Sequence, residues 1–189
     1  MMNYYTVKRL FDIILSIILL ICLSPIFLII AFIIRIQDGG PSIFRQERIG
    51  KKGVVFRFYK FRSMPLSTPS VESKETKKLQ ITPFGKFIRR TNLDELPQFY
   101  NVLRGDMSFI GPRPPIPSQT ELIEMRRMNG ALQLSPGLSG WAQVNSFDGM
   151  SVSDKAKFDG EYAIKISFGF EFLILLKTIL YFTKKPPTY

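Results

Sequence analysis

The chain has 189 residues and a mass of 21.8 kDa, enough for one domain with its own core but not for two. Its 26 Lys and Arg outnumber 15 Asp and Glu, a formal charge of +11, yet 46% of the residues are apolar and 13% aromatic, which excludes a disordered chain. One cysteine and no histidine exclude disulfide scaffolds, histidine-ligated zinc and every histidine-based catalytic scheme, so an acid, base or nucleophile must come from Asp, Glu, Lys, Tyr, Ser or Cys22.

The basic excess is concentrated at the start, where residues 1–64 carry ten Lys/Arg against three Asp/Glu. The same third contains the uncharged run 13–34. As one straight helix it would just cross a hydrocarbon core of ~30 Å at ~1.5 Å per residue. Two features argue against a span. Ser24-Pro25 stands mid-run, and proline removes a backbone donor and kinks a helix. Both flanks are basic, with Lys8 and Arg9 before and Arg35, Arg45, Arg48, Lys51 and Lys52 after, whereas a span concentrates its cations on one side. The features favour a re-entrant hairpin over 1–36, broken at Ser24 and Pro25, with a kinked span as the alternative. The remainder, 37–189, is then a cytosolic domain at the inner face of a membrane, against anionic headgroups. Asp12 either pairs with Lys8 or Arg9 at the interface or is a helix-start carboxylate.

Gly39-Gly40-Pro41 stops the helix. Alternating apolar and basic residues then predict a β-hairpin turning at Gly50–Gly53, with Val55–Arg62 as its second strand. Residues 65–80 have no periodicity and read as an exposed, mobile loop. Leu96, Phe99, Tyr100 and Leu103 recur at i, i+3, i+4 and i+7, one helix face, ended by Gly105. The prolines of 111–117 predict an extended, rigid loop. A helix follows over 118–130, then a turn leading into a short strand or buried segment over 135–145, and a last helix over 159–183, interfacial or core. The class is therefore α+β and mostly helical: a helix–break–helix, a small hairpin, and amphipathic interfacial helices around a compact cytosolic domain.

Asp94-Glu95 is the strongest candidate for chemistry. Pro97 is tolerated only in a first helical turn, so the helix is expected to begin near Asp94, with two diverging carboxylates at its positive end. The plain alternative is ordinary N-capping. Around the pair lie Lys60 and Arg62 on the expected strand, Arg89 and Arg90 just before it, and Arg113 between prolines. Arginine forks suit phosphate oxygens, and carboxylates without histidine suit Mg²⁺ shared with phosphate. Trp141, flanked by Pro136, Gly137, Gly140 and Gln143, fits a core plug, an interface anchor or a stacking platform equally well.

Taken together, KRLFDIILS, the mid-helix Ser-Pro, GGPSIFRQERIG, FYKFRSM, LDELPQFYNVLRGDMS, GPRPPIP and PGLSGWAQVN resemble the bacterial sugar transferases, specifically the small monotopic phosphoglycosyl transferases, over about residues 6–180. The resemblance implies transfer of sugar-1-phosphate from a UDP-sugar to polyprenol (undecaprenyl) phosphate with release of UMP, the first membrane step of capsule, O-antigen, exopolysaccharide or glycoprotein assembly. It implies a re-entrant N-terminal helix at the cytoplasmic face of the bacterial inner membrane. It further implies Asp94 as nucleophile of a covalent phosphosugar intermediate, Glu95 as its assisting base, Mg²⁺ as cofactor with Asp94 the metal ligand, and Lys60, Arg62, Arg89 and Arg113 on phosphates. Ser135 and Phe147 stand where many members carry arginine, which leaves the nucleotide-end contact unassigned. Two other readings compete: a non-catalytic basic module binding lipid or nucleic acid, and a direct glycosyltransferase releasing UDP. Residues 65–189 hold only +4 of the charge and carry no nucleic-acid-binding signature, so no nucleic-acid partner is expected.

Overall fold

The computed structural model describes residues 3–66, 68, 81–145 and 150–182. The expected mobile loop lies mostly outside them, and so does Phe147. The long apolar run forms two helices, α1 (Tyr4–Cys22) and α2 (Ser24–Asp38), which meet at Leu23 and are bent by 61°. The break has a local chemical cause. Pro25 has no N–H for the Ile21 carbonyl, and the Ser24 hydroxyl donates to that carbonyl instead, at 2.8 Å. Among the described residues no single helix is long and apolar enough to cross a membrane, while the bent pair together meets that test of length and composition.

The hairpin forms as expected. β1 (Ile43–Ile49) and β2 (Val55–Phe61) run antiparallel, with Ile43 opposite Phe61 and Ile49 opposite Val55. Arg62 falls one residue beyond β2 rather than on it. Next come α3 (Pro83–Arg90), α4 (Gln98–Arg104), the short strand β3 (Ser108–Ile110) and α5 (Thr120–Met128). β4 (Gly137–Ser139) pairs in parallel with β3, Ser108 beside Gly137 and Ile110 beside Ser139. The backbones meet so closely that a Cβ on Gly111 would lie 2.3 Å from the Ser135 carbonyl. The expected last helix is two: α7 (Val152–Lys165) and α8 (Phe168–Phe182), following the short α6 (Trp141–Asn145). Ile166 leaves helical geometry (ψ 118°), and Ser167 then caps α8 by accepting from the Phe170 N–H.

The apolar helices are not merely a membrane appendage. The inner face of α2 supplies Ile30 and Ile34 to a buried cluster with Phe61 and Ile88, and Leu93 and Leu96, which bracket the carboxylate pair, rest against it. Lys8, Asp12 and Ser16, at i, i+4 and i+8, form the inner edge of α1. Asp12 accepts from the Ser108 hydroxyl (3.1 Å) and the Phe109 N–H (3.2 Å) rather than from Lys8 or Arg9. Arg9 donates to the carbonyls of Val102 (2.6 Å) and Leu103 (2.7 Å), satisfying the C-terminal end of α4. Lys8 pairs with Glu171 of α8 and also donates to the Ile110 carbonyl. The two cations expected to face headgroups thus fasten α1 to the rest of the fold. Trp141 is a packing residue, set against Phe158 and Phe170 with its indole N–H on Glu161 and the Lys177 ammonium over its ring.

Candidate active site

The carboxylate pair does not open a helix. Leu93–Glu95 is a single 3-10 turn, entered through Asn92 in the left-handed region (φ 54°), and α4 begins only at Gln98. Pro97 is the reason. An α-helix through Asp94 would need the residue-97 N–H for the Leu93 carbonyl, and that carbonyl instead accepts from Leu96 at 3.3 Å. The helix-dipole argument for Asp94 therefore fails, and its electrostatics come from neighbouring strands and loops.

Those neighbours frame a cleft of about 710 Å³ between β1, β2, the dyad turn and the proline-rich loop. Asp94 sits in its wall, 7% exposed. Lys60 approaches from β2 and Arg89 from α3. Arg89 is held by a hydrogen bond from its Nε to the Ser63 hydroxyl (2.8 Å). The packing that brings α3 to Ser63 requires Gly85, where a Cβ would lie 2.0 Å from the Ser63 carbonyl. Arg113 comes from the loop and donates to Glu95 at 2.9 Å. Its own carbonyl accepts from Arg126, which is bound through two nitrogens to the buried Asp159. Arg62 lines the same cleft. Lys60, Arg62, Arg89, Arg113, Asp94 and Glu95 therefore converge, while Arg90 is exposed and outside the cleft.

The two carboxylates are electrostatically unlike. Burial, reinforced by the adjacent Glu95 charge, pushes Asp94 from an ordinary 3.8 up to about 6 against the pull of Lys60, Arg89 and Arg113. Burial is the largest single influence on Glu95 and acts to raise it, but the Arg113 ion pair and hydrogen bond, with Lys60 and Gln98, together outweigh it and hold Glu95 below the usual range. Lys60 is brought down to about 8 by burial and by Arg89. One carboxylate is thus clamped in an ion pair, and the other is a buried, poorly solvated anion aimed into a cationic cleft. A group of the second kind has the chemistry to act as a nucleophile or to ligate a cation.

The family model described as bacterial sugar transferase matches residues 3–185. The chain belongs to the bacterial sugar transferases. The UDP-glucose:undecaprenyl-phosphate glucose-1-phosphate transferase of Escherichia coli (strain K12) is 38% identical to it over 183 residues, 91% of this chain and 39% of that protein. The uncharacterized sugar transferase EpsL of Bacillus subtilis (strain 168) is 37% identical over 172 residues, 91% of this chain and 85% of that protein. The undecaprenyl-phosphate galactose phosphotransferase of Salmonella typhimurium is 36% identical over 188 residues, 90% of this chain and 39% of that protein. This sugar transferase therefore spans well under half of some curated relatives and most of another.

Sequence reasoning missed several contributors. In sequence Arg48 reads as part of the membrane flank, but in the fold it lies under the proline-rich loop, donating to the Pro114 carbonyl (3.1 Å) and set over the Phe58 ring. Burial, and then Arg113, bring its guanidinium down to about 10. Arg35 and Arg45, also assigned to the flank, line the cleft. Charge alone could not separate them from the headgroup cations, since all seven basic residues named in that region look alike in sequence. Ser135, by contrast, is not part of the cleft.

Proposed function

We propose that this sugar transferase moves sugar-1-phosphate from a UDP-sugar to polyprenol phosphate, such as undecaprenyl phosphate, releasing UMP and leaving a polyprenol diphosphate sugar. The observation that carries the reading is Asp94, a buried carboxylate in the wall of a cleft that also gathers Lys60 from β2, Arg89 from α3 and Arg113 from the proline-rich loop. The names of the relatives, which include UDP-sugar and undecaprenyl-phosphate transferases, support the substrate classes.

In the first displacement an Asp94 carboxylate oxygen bonds to the sugar-bearing phosphorus, the bond from that phosphorus to the bridging oxygen breaks, and UMP departs with the electron pair. In the second, a phosphate oxygen of the lipid bonds to the same phosphorus, the Asp94–phosphorus bond breaks, and the free carboxylate returns. Glu95, held ionised by Arg113, accepts the proton when the lipid phosphate arrives as its monoanion. Lys60, Arg62, Arg89 and Arg113 neutralise phosphate oxygens and so lower the repulsion an anionic nucleophile meets. Two displacements let a water-soluble donor and a lipid acceptor use one site in turn.

The donor set of the cleft is oxygen-only, Asp94 and Glu95, and among the described residues no group of three metal-ligating side chains is assembled. Such a set fits Mg²⁺, which takes one or two carboxylates together with substrate phosphates. Asp94 would hold it, with Glu95 beside it, and when bound it would supply charge neutralisation at the diphosphate. The bent α1–α2 pair, with its exposed Leu28, Ile29 and Phe32, supports a re-entrant seat in the inner face of a bacterial plasma membrane with the cleft toward the cytoplasm.

The test is product identity. With Mg²⁺, a panel of UDP-sugars and detergent-dispersed polyprenol phosphate, UMP is the expected nucleotide, and a stoichiometric burst of it is expected without acceptor. UDP as product would replace the reading with direct glycosyl transfer, and wild-type turnover in Asp94→Asn would remove the nucleophile assignment.

A further inference from the structure

The cleft wall includes the end of α2, an outer end of the site to which the two displacements proposed above assign no residue. Along α2, Phe27, Ile30, Ala31 and Ile34 face the core. Leu28, Phe32 and Arg35, at i, i+4 and i+7, share an exposed flank about a quarter-turn round the helix from that face. Leu28 is 72% and Phe32 66% exposed. This apolar stripe therefore ends in a cation, and that cation lies in the last turn of α2 and in the wall of the cleft holding Asp94. Exposed Arg45 of β1, in the lining of the same cleft, adds a second positive charge. The inner cations are committed differently, Arg113 to Glu95 and Arg89 to Ser63, whereas no described carboxylate pairs with Arg35.

Resting on the function proposed above, we infer that this outer end is the docking site of the acceptor lipid: its prenyl chain lies along Leu28 and Phe32, and its phosphate is received by Arg35, with Arg45 beside it, before passing to Asp94. The charge complementarity is specific to one kind of molecule. A ligand that covers an apolar helix stripe and then presents an anion at its end has a hydrocarbon tail and a phosphate head. A soluble nucleotide sugar has no part to place on the stripe. A guanidinium bonded to a phosphate gains charge-assisted, two-pronged hydrogen bonds, so losing it should weaken the acceptor about tenfold. The same loss should not touch the first displacement, in which the acceptor plays no part.

The experiment uses the full-length enzyme in detergent and reads the two half-reactions separately. The UMP burst without acceptor counts functional enzyme and reports the donor step. Steady-state turnover with a long-chain and with a short, water-soluble prenyl phosphate reports the acceptor step. Arg35→Ala is expected to keep the wild-type burst amplitude and rate while raising the KM of both acceptors about tenfold, with Arg35→Lys recovering part of the loss. Phe32→Ser is expected to raise KM for the long-chain acceptor only. An unchanged acceptor KM in Arg35→Ala overturns the inference, and so does a burst slowed as much as turnover, which would assign Arg35 to the donor. Equal effects of Phe32→Ser on both acceptors would remove the prenyl chain from α2. Absence of any UMP burst in the wild type would instead overturn the underlying function, and the docking site with it.

Discussion

Replacing Asp94 with asparagine should abolish the UMP burst and, at neutral pH, make the folded protein more stable. Burial in the cleft wall, then the Glu95 charge, raises the Asp94 carboxyl from 3.8 to about 6, a net figure that already includes the opposing pull of Lys60, Arg89 and Arg113. At 1.36 kcal/mol per pH unit, holding this anion costs the folded state about 3 kcal/mol once the pH is above 6. The sign follows from linkage. Between about 4 and about 6 the unfolded chain has released its Asp94 proton while the folded chain still holds it, so stability falls as pH rises through that window. Asparagine is close in shape to the protonated acid and escapes the cost. In a chain of this size about 3 kcal/mol corresponds to a Tm increase of roughly 6–12 °C, an upper limit because the replacement amide makes its own imperfect contacts. The assay is thermal unfolding in detergent with EDTA and no donor, at pH 7.5 and at pH 4. The variant should exceed wild type at the higher pH and match it at the lower. A variant as stable as or less stable than wild type at pH 7.5 would refute the claim that Asp94 is a strained buried anion.

The same pair of groups sets an activity profile: kcat/KM for the donor should rise as Asp94 ionises near pH 6 and fall as Lys60 loses its proton near pH 8, and Lys60→Arg should carry the falling limb to higher pH. A falling limb unmoved in Lys60→Arg would take Lys60 out of the profile. Asp159→Ala strands the buried Arg126 guanidinium and should cost about 3–5 kcal/mol in urea unfolding, while Arg126→Met with Asp159→Leu should restore most of it. Gly85→Ala should cost about 1–3 kcal/mol and weaken donor binding, because the new methyl meets the Ser63 carbonyl behind Arg89, whereas Gly169→Ala in α8, with nothing within 4 Å, should gain up to about 1 kcal/mol from helix propensity. Circular dichroism melts of the two glycine variants compare these directly, and equal effects would refute the close-approach argument.

How far the fold was legible follows from how local each signal is. The Ser24-Pro25 break, the hairpin turning at Gly50–Gly53 and the helix ended by Gly105 were readable because each depends on a missing N–H, a turn or one helical face within a few residues. The carboxylate pair is legible as a pair, but its local setting is not: the first-turn tolerance of Pro97 suggests a helix through Asp94, and the same missing N–H in fact produces a 3-10 turn. The parallel pairing of β3 with β4 brings Ser108 beside Gly137, and no short-range pattern encodes a contact that distant. Within residues 13–34 nearly every position is apolar, so periodicity could not say which face of α2 touches Phe61 and Ile88 and which stays exposed. A trace did exist in α1, where Lys8, Asp12 and Ser16 mark the inner edge every fourth residue.

By itself the sequence determined the chemistry available: without histidine, catalysis falls to carboxylates and the few other reactive side chains, and Asp94-Glu95 is the one adjacent carboxylate pair, set among arginine and lysine. Its motifs also determined the family. Only the tertiary structure decided how the cations divide. Lys8 and Arg9 became fasteners of α1, Arg126 a buried support for the Arg113 loop, Arg90 a solvated surface charge, and Arg35 part of the cleft wall. A charge has the same formal value wherever it stands in the chain. What it does depends on the low-dielectric surroundings and partners that folding places around it, and those come from residues far away in sequence.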